Sequence, residues 1–382
     1  MASIQKRDNG RWRARYRDPD GREHARHFNR KVDAQAWLDR ETAKLVRGEW
    51  IDPRAGRTTL GEFTKAWLDA QTFDPLTRET MESRIKNHID PHLGEVEMRN
   101  LRPSTIQSWV RGRQTQVAAS YCRLLLANLS TILAAAVEDG LIPRNPCTAS
   151  SVKPPKVERT RIVPWTVERV QAVTQEHPAS LRAAPVTGAG CGLRQGEVFG
   201  LAVDAVDLSR RNVHIRQQIR LVGGQLVFSP PKGGRDRTVP LPDWVGEALA
   251  DHLRCHDTPE VTLSWVEPGG PPHTSPLIFT NRDAGPLTRA YYSHNAWKPA
   301  LVHAGIAGGS GNGFHALRHH YASVLLDAGV SIRAVSEYLG HRDPGFTLRT
   351  YAHLMPASEE RTRTAIDSAH APADCVRTRE AS

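Results

Sequence analysis

Apolar residues recur along this chain with two different periods, and each change of period marks a division. From Arg11 to Arg17, basic and apolar positions alternate strictly as Arg11-Trp12-Arg13-Ala14-Arg15-Tyr16-Arg17. In an extended chain a period of two puts the four arginines on one face and Trp12, Ala14 and Tyr16 on the other. Asp18-Pro19-Asp20-Gly21 is a turn signal, and Glu23 to Phe28 can return as a further strand. The period then becomes helical. Ala34, Trp37, Leu38 and Leu45 predict a helix from about Lys31 to Val46 whose apolar side packs on the small sheet.

Trp50 to Arg57 lacks either period and reads as a linker. Beyond it, Thr59 and Glu62 have capping-box spacing, and Leu60, Phe63, Trp67 and Ala70 follow at helical intervals. Further helices are expected near 76–89, 103–110 and 120–139. The last carries one broad apolar stripe from Tyr121 to Val137 and is stopped by Gly140 and Pro143. The proline-rich stretch from Pro143 to Lys156 has no periodicity and predicts an extended connector. From Val163 to Thr364, helical patterns mix with strand-like runs near 212–219, 225–228 and 237–239, as in an α+β domain. After Ser368 the chain is expected to be a flexible tail. The modules expected are thus a small basic α+β module of a three-stranded sheet, two of whose strands the pattern marks, plus helix with its linker (1–57), an all-α domain (58–148), a linker (149–162), a mixed α+β domain (163–368) and the tail (369–382).

Charge narrows the partners. The chain holds 51 Lys and Arg against 41 Asp and Glu, a net +10, which favours a polyanion. Residues 1–31 alone carry ten Lys or Arg against Asp8, Asp18, Asp20 and Glu23. With the interleaved aromatics, this points to Arg11, Arg13, Arg15 and Arg17 as a DNA-contacting face, although a solvated charged face would look the same. No run of 18 apolar residues occurs, and the first thirty residues lack an apolar stretch. Cys122, Cys147, Cys191, Cys255 and Cys375 are odd in number and form no Cys-x-x-Cys pair. A cytoplasmic protein with no membrane association, disulfide framework or metal site is expected.

Four stretches of the third region carry candidate chemistry: Gly192-Leu193-Arg194-Gln195-Gly196-Glu197, Pro231-Lys232-Gly233-Gly234-Arg235-Asp236-Arg237, His315-Ala316-Leu317-Arg318-His319-His320, and Leu339-Gly340-His341 with Tyr351 ten residues on. In a helix, His315 and Arg318 share a face, and Leu317, Tyr321, Val324, Leu325 and Ala328 form the opposite, buried one, so His315 and Arg318 are expected to point away from the core. Each stretch alone has a plainer explanation. Arg194 can pair with Glu197 on a helix surface, the three histidines can be solvated, and His315 with His319 has the spacing of a metal pair but lacks the glutamate that would go with it. Lys232 can be an ordinary hairpin lysine. Tyr321 and Tyr338 rival Tyr351 but are expected to pack.

Together and in this order, the four stretches resemble the catalytic signature of the tyrosine recombinase (phage integrase) family, which shares its active-site chemistry with type IB topoisomerases. The resemblance spans the third region and implies that it is a tyrosine recombinase catalytic domain. The preceding modules look like the family's SAM-like core-binding domain and, more loosely, its arm-type DNA-binding domain. It implies that Arg194 and Arg318 clamp a DNA phosphate, where attack builds negative charge that planar guanidinium forks can meet. It further implies Tyr351 as nucleophile, His315 as acceptor or relay of the phenol proton, His341 as a phosphate or transition-state partner, Lys232 as general acid, and Glu197 as an orienting group behind them. The implied product is a 3′-phosphotyrosine, made without metal, cofactor or ATP. The implied partners are double-stranded DNA attachment sites, three further copies in a homotetramer on DNA, and possible directionality (excisionase) and host DNA-bending proteins. Other uses of such a chain are a DNA-binding regulator or a type IB-like topoisomerase.

Overall fold

The computed structural model describes residues 2–18, 21–47, 55–157 and 162–354, together with 363, 366–367 and 370. Most of the expected Trp50–Arg57 linker, the centre of the turn after Asp18 and all of the expected 369–382 tail but His370 lie outside these residues. Two compact units divide the chain, Met1–Arg159 and Thr160–Ser382. The division falls inside the expected 149–162 linker.

The first unit contains two separate apolar cores. In the smaller, β1 (Ser3–Lys6), β2 (Trp12–Arg17) and β3 (Glu23–Phe28) form an antiparallel sheet in that order, followed by α1 (Lys31–Val46). The alternation is realised: Ala14 and Tyr16 are buried with Ala34 and Leu38 of α1, flanked by Trp12, Phe28 and Trp37. The first strand, β1, was not marked by any period in the sequence.

The larger core belongs to α2 (Leu60–Asp69), α3 (Pro75–Arg84), α4 (Asp90–Leu93), α5 (Pro103–Gln114) and α6 (Ala119–Glu138). The capping box forms: Thr59 Oγ1 accepts from Glu62 N–H at 3.3 Å and Glu62 Oε2 accepts from Thr59 N–H at 2.9 Å. One π-helical turn, Ile85–Ile89, carries α3 into α4. Among the described residues α6 is the one helix long and apolar enough to cross a membrane, yet Leu125, Leu129, Ile132 and Leu133 of its stripe are wholly buried in this core. The proline-rich segment, expected as an extended connector, packs on the helical core. Ile142, Pro146 and Val152 are buried; Asn145 Nδ2 donates to Ser130 O at 2.8 Å, and Lys153 N–H donates to Gln107 Oε1 at 2.7 Å. Sparse apolar residues without a period can still pack when side chains satisfy the backbone around them.

In the second unit, α7 (Val167–Gln175), α8 (Ala183–Cys191) and α9 (Gln195–Phe199) precede β4 (Val206–Asp207), β5 (Asn212–Ile215), β6 (Gln218–Val222), β7 (Gln225–Ser229) and β8 (Arg237–Pro240). Then come α10 (Asp243–Cys255), β9 (Glu260–Trp265), β10 (Pro272–Pro276), α11 (Arg289–Tyr292), α12 (Lys298–His303), α13 (His315–Asp327), α14 (Ile332–Leu339) and α15 (Pro344–Tyr351). One sheet runs β4-β5-β8 and the other β10-β9-β7-β6, with β7 and β9 parallel. The expected run at 212–219 is therefore split between two sheets. So are β7 and β8, which makes the Lys232 segment a connector between sheets and not the hairpin turn expected.

The expected faces of α13 need correction. Ala316, Leu317, Arg318, His320, Tyr321, Ala322 and Leu326 are all buried, whereas Val324 is exposed, as is Ala328. Helix α13 is covered by α8 on one side and α14 on another, so it has no single dry face. Arg318, expected to point outward, is 1% exposed.

Candidate active site

Three arginines from three distant stretches converge on the end of one helix. Helix α14 stops at Gly340, whose φ of +62° is left-handed and natural for glycine. The last carbonyls of a helix have no partner within it and carry its negative dipole end. Here three in a row receive guanidinium donors. Tyr338 O accepts from Arg237 Nε at 2.7 Å, Leu339 O from Arg318 Nη2, and Gly340 O from Arg194 Nη2 at 3.3 Å. Helix α8 ends likewise at Gly192, with φ +64°. Its carbonyl accepts from Arg318 Nη1 at 2.7 Å, so Arg318 joins two helix ends.

Glu197 lies beneath the arginines with no side-chain exposure. Its Oε1 accepts from Arg194 Nη1 at 2.8 Å and Arg237 Nη1 at 2.9 Å, and its Oε2 from Arg237 Nη2 at 2.7 Å and the Arg194 N–H at 2.8 Å. Burial alone would raise the Glu197 carboxyl, but the Arg237 hydrogen bond and the Arg237, Arg194 and Arg318 charges hold it down at about 2. Burial and the neighbouring Arg194 push Arg318 down to about 9 against the pull of Glu197, which leaves it protonated at neutral pH. Three guanidinium charges against one carboxylate leave a surplus of two positive charges. That surplus is the condition for holding an anion.

The histidines stand around this cluster in neutral form. His341 follows Gly340 and its Nδ1 lies 2.7 Å from Thr347 Oγ1. Burial, then Arg318 and Arg194, hold His341 at about 4. His315 opens α13 with part of its surface exposed, yet the withdrawal of its ring from water, ahead of His319 and Arg318, also holds it at about 4. Tyr351 ends α15 and is 2% exposed. Burial raises its phenol, and the Arg318 charge opposes that rise. The phenol meets His319, whose Nδ1 is 2.7 Å from Tyr351 Oη. His315, expected to face that proton, instead sets its ring edge-to-face on His319 with centroids 4.6 Å apart.

Lys232 is exposed on the 230–236 connector. It lines a cleft of about 840 Å³ with Arg216, Arg235, Arg237, Arg333, Arg342 and His341, against only Asp236 and Glu337. The cleft reaches Gly340 and His341 but not Tyr351. Tyr321 is buried and Tyr338 half-buried, as expected of packing residues. Two residues of the cluster had no assignment from sequence. Arg237 has no local signal, since its partners lie 40 and 101 residues away. His319 had one, its i+4 spacing from His315.

The basic face of the N-terminal sheet is partly neutralised from within. Arg13 Nη2 and Arg15 Nη1 reach the two oxygens of Glu23 at 2.8 and 3.2 Å, and Arg17 Nη1 donates to Gly21 O at 3.4 Å. Arg11 is exposed at the turn before β2.

The sequence profile described as the Phage integrase family matches residues 163–358, just over half of the chain, and contains every residue of the arginine–histidine–tyrosine cluster. The chain belongs to the phage integrase family. In this phage integrase, profiles for the family's N-terminal domain and its N-terminal SAM-like domain match residues 2–47 and 59–112. The chain is 29% identical over 367 residues to a protein of Mycobacterium tuberculosis described as a prophage phiRv2 integrase, covering 92% of this chain and 90% of that one. It is 25% identical to an integrase of Mycobacterium phage D29, covering 94% and 95%. Its fold is similar to that of a Tn1549 transposon integrase solved with transposon right-end DNA (18% identity, TM-score 0.68, 82% of this chain and 100% of that one). It also resembles a lambda integrase tetramer bound to a Holliday junction (18% identity, TM-score 0.59, 92% and 94%).

Proposed function

We propose that this phage integrase is a site-specific tyrosine recombinase that cleaves and rejoins DNA through a 3′-phosphotyrosine at Tyr351, for integration and excision of a phage or integrative element. The observation that carries this is the surplus of two positive charges fixed on helix-end carbonyls around Arg194 and Arg318, with a tyrosine whose phenol feels the Arg318 charge. A scissile phosphate supplies the missing negative charge. Because the guanidinium groups are already in place, they need not reorganise as charge builds on the non-bridging oxygens.

In this reading Arg194, the most exposed of the three arginines, and Arg318 hold the phosphate, while Glu197 and Arg237 fix Arg194 from behind. His341 and His315, both neutral at pH 7, donate hydrogen bonds to it. Tyr351 Oη bonds to phosphorus and the 5′-oxygen leaves, taking a proton from Lys232. The ester keeps the energy of the broken bond, so a 5′-hydroxyl from a second duplex reverses the step. Guanidinium groups supply the electrophilic assistance, so neither ATP nor a metal ion is called for. Residues 1–57, including Arg11, Arg13, Arg15 and Arg17, read arm-type DNA sites, and 58–148 grip the core site. The lambda integrase seen as a tetramer on a Holliday junction supports four copies acting on two sites.

The test is a nicked suicide substrate resolved on a denaturing gel. Wild type traps a covalent protein–DNA band and Tyr351→Phe traps none. A band that survives Tyr351→Phe overturns the assignment, and supercoil relaxation without strand exchange makes the protein a topoisomerase instead.

A further inference from the structure

We propose that His319 is the residue that takes the phenol proton from Tyr351, a role the sequence pattern had offered to His315. The inference rests on the recombinase reading and adds the proton path to it. A phenol that attacks phosphorus must release a proton as the O–P bond forms, and a buried phenol has no bulk water to take it. Tyr351 is almost fully enclosed, and the imidazole nitrogen at its oxygen is Nδ1 of His319, at 2.7 Å. Their rings meet edge-to-face with centroids 5.7 Å apart. This is hydrogen-bond reach for direct transfer.

The groups bearing on His319 are Arg318 and His315 on its own helix and Tyr351 from α15. Burial and the Arg318 charge both lower the His319 pKa, which favours the neutral imidazole, and in the tautomer protonated on Nε2 its Nδ1 accepts from the Tyr351 O–H. The same surroundings make the imidazolium formed on transfer readier to return its proton. The balance closes. The Tyr351 O–H bond breaks, its proton goes to Nδ1 and its electron pair forms the O–P bond. The P–O5′ bond then breaks, and that oxygen takes a proton from Lys232. In rejoining, the 5′-hydroxyl gives its proton to Lys232, and the expelled phenolate recovers its own from His319. His315, turned edge-on to the His319 ring and partly open to solvent, is left free for the phosphate.

Single-turnover cleavage of the suicide substrate by His319→Ala and His319→Asn tests this. Asparagine places an acceptor near the position of Nδ1 but cannot take the proton. Both variants should bind DNA as wild type does and cleave about 100-fold more slowly or worse. Replacing Tyr351 with a difluorotyrosine, whose phenol is more acidic, should shrink that deficit by about tenfold. A bridging 5′-thiolate leaving group, which relieves the acid and not the base, should leave it unchanged. His319→Asn cleaving within about threefold of wild type, or a deficit that fluorination does not move, overturns the proposal. In the wild-type fold, Tyr351→Phe should shift the 15N resonance of His319 Nδ1, and an unmoved resonance overturns it whether or not the variants fold. If wild type forms no DNA adduct at all, the recombinase reading fails; if it does and His319→Asn matches it, only this inference fails.

Discussion

Glu197 has both carboxylate oxygens committed to guanidinium groups and none of its side chain in water. Glu197→Gln leaves the enclosed Arg237 guanidinium short of its counter-ion, with the partly exposed Arg194 beside it, and breaking a buried pair in this way costs about 3–5 kcal/mol. Denaturant unfolding should show a loss of that order. The pH dependence has a definite sign. The folded carboxyl, at about 2, lies below its ordinary value near 4.5, so its stabilisation is complete above 4.5 and is lost as pH falls through 2. Acid titration of Glu197→Gln should lack that part of the wild-type slope. Arg194 is held by its neighbours but retains exposed surface, so Arg194→Ala should chiefly reduce cleavage, by about 100- to 1000-fold in single turnover, with a smaller change in melting temperature. A larger loss of fold than of rate would mean that Arg194 serves Glu197 more than phosphate.

At the scale of elements, the close of α14 is where fold and chemistry coincide. Gly340→Ala forces a Cβ into a left-handed position, where it would stand 3.2 Å from the Arg237 guanidinium. The backbone term is about 1–2 kcal/mol. Because the carbonyls of Tyr338, Leu339 and Gly340 seat three arginines, we expect at least a tenfold slower cleavage as well, measured on protein shown to be folded by circular dichroism. Periodicity revealed the elements whose partners are local: α1 matches its expected limits, the Thr59–Glu62 box closes, and α6 differs from expectation by one residue at each end. It failed where partners are distant or where a helix is covered on more than one side. The burial of Arg318 was hidden because α13 has apolar neighbours on two flanks. Arg237 looked like one more basic residue of a turn, since nothing near it in sequence names Glu197 or Tyr338. Strand β9, Glu260–Trp265, does alternate polar with apolar residues as Glu-Val-Thr-Leu-Ser-Trp and went unread, whereas β10, Pro272–Pro276, carries no apolar alternation and is held by its pairing with β9. The Arg–His-x-x-Arg–Leu-Gly-His–Tyr order was legible, but not which histidine the tyrosine would meet.

For the whole molecule, charge governs affinity before geometry governs rate. Binding should weaken steeply with salt, by a log–log slope of about 0.9 for each phosphate contact. Deleting residues 1–57 should make that slope shallower and abolish arm-site binding while sparing cleavage of the core site. Loss of cleavage itself would show that the N-terminal module serves the chemistry directly. Within the catalytic unit, Arg318 ties the carbonyl that ends one helix to a carbonyl at the end of another, across 147 positions of chain from Gly192 to Leu339. An anion docked on that side chain is thus coupled to both anchor points at once. Occupancy of the site should register throughout the unit as stiffening, seen as slower amide exchange at the far ends of both helices, with no part obliged to change its place.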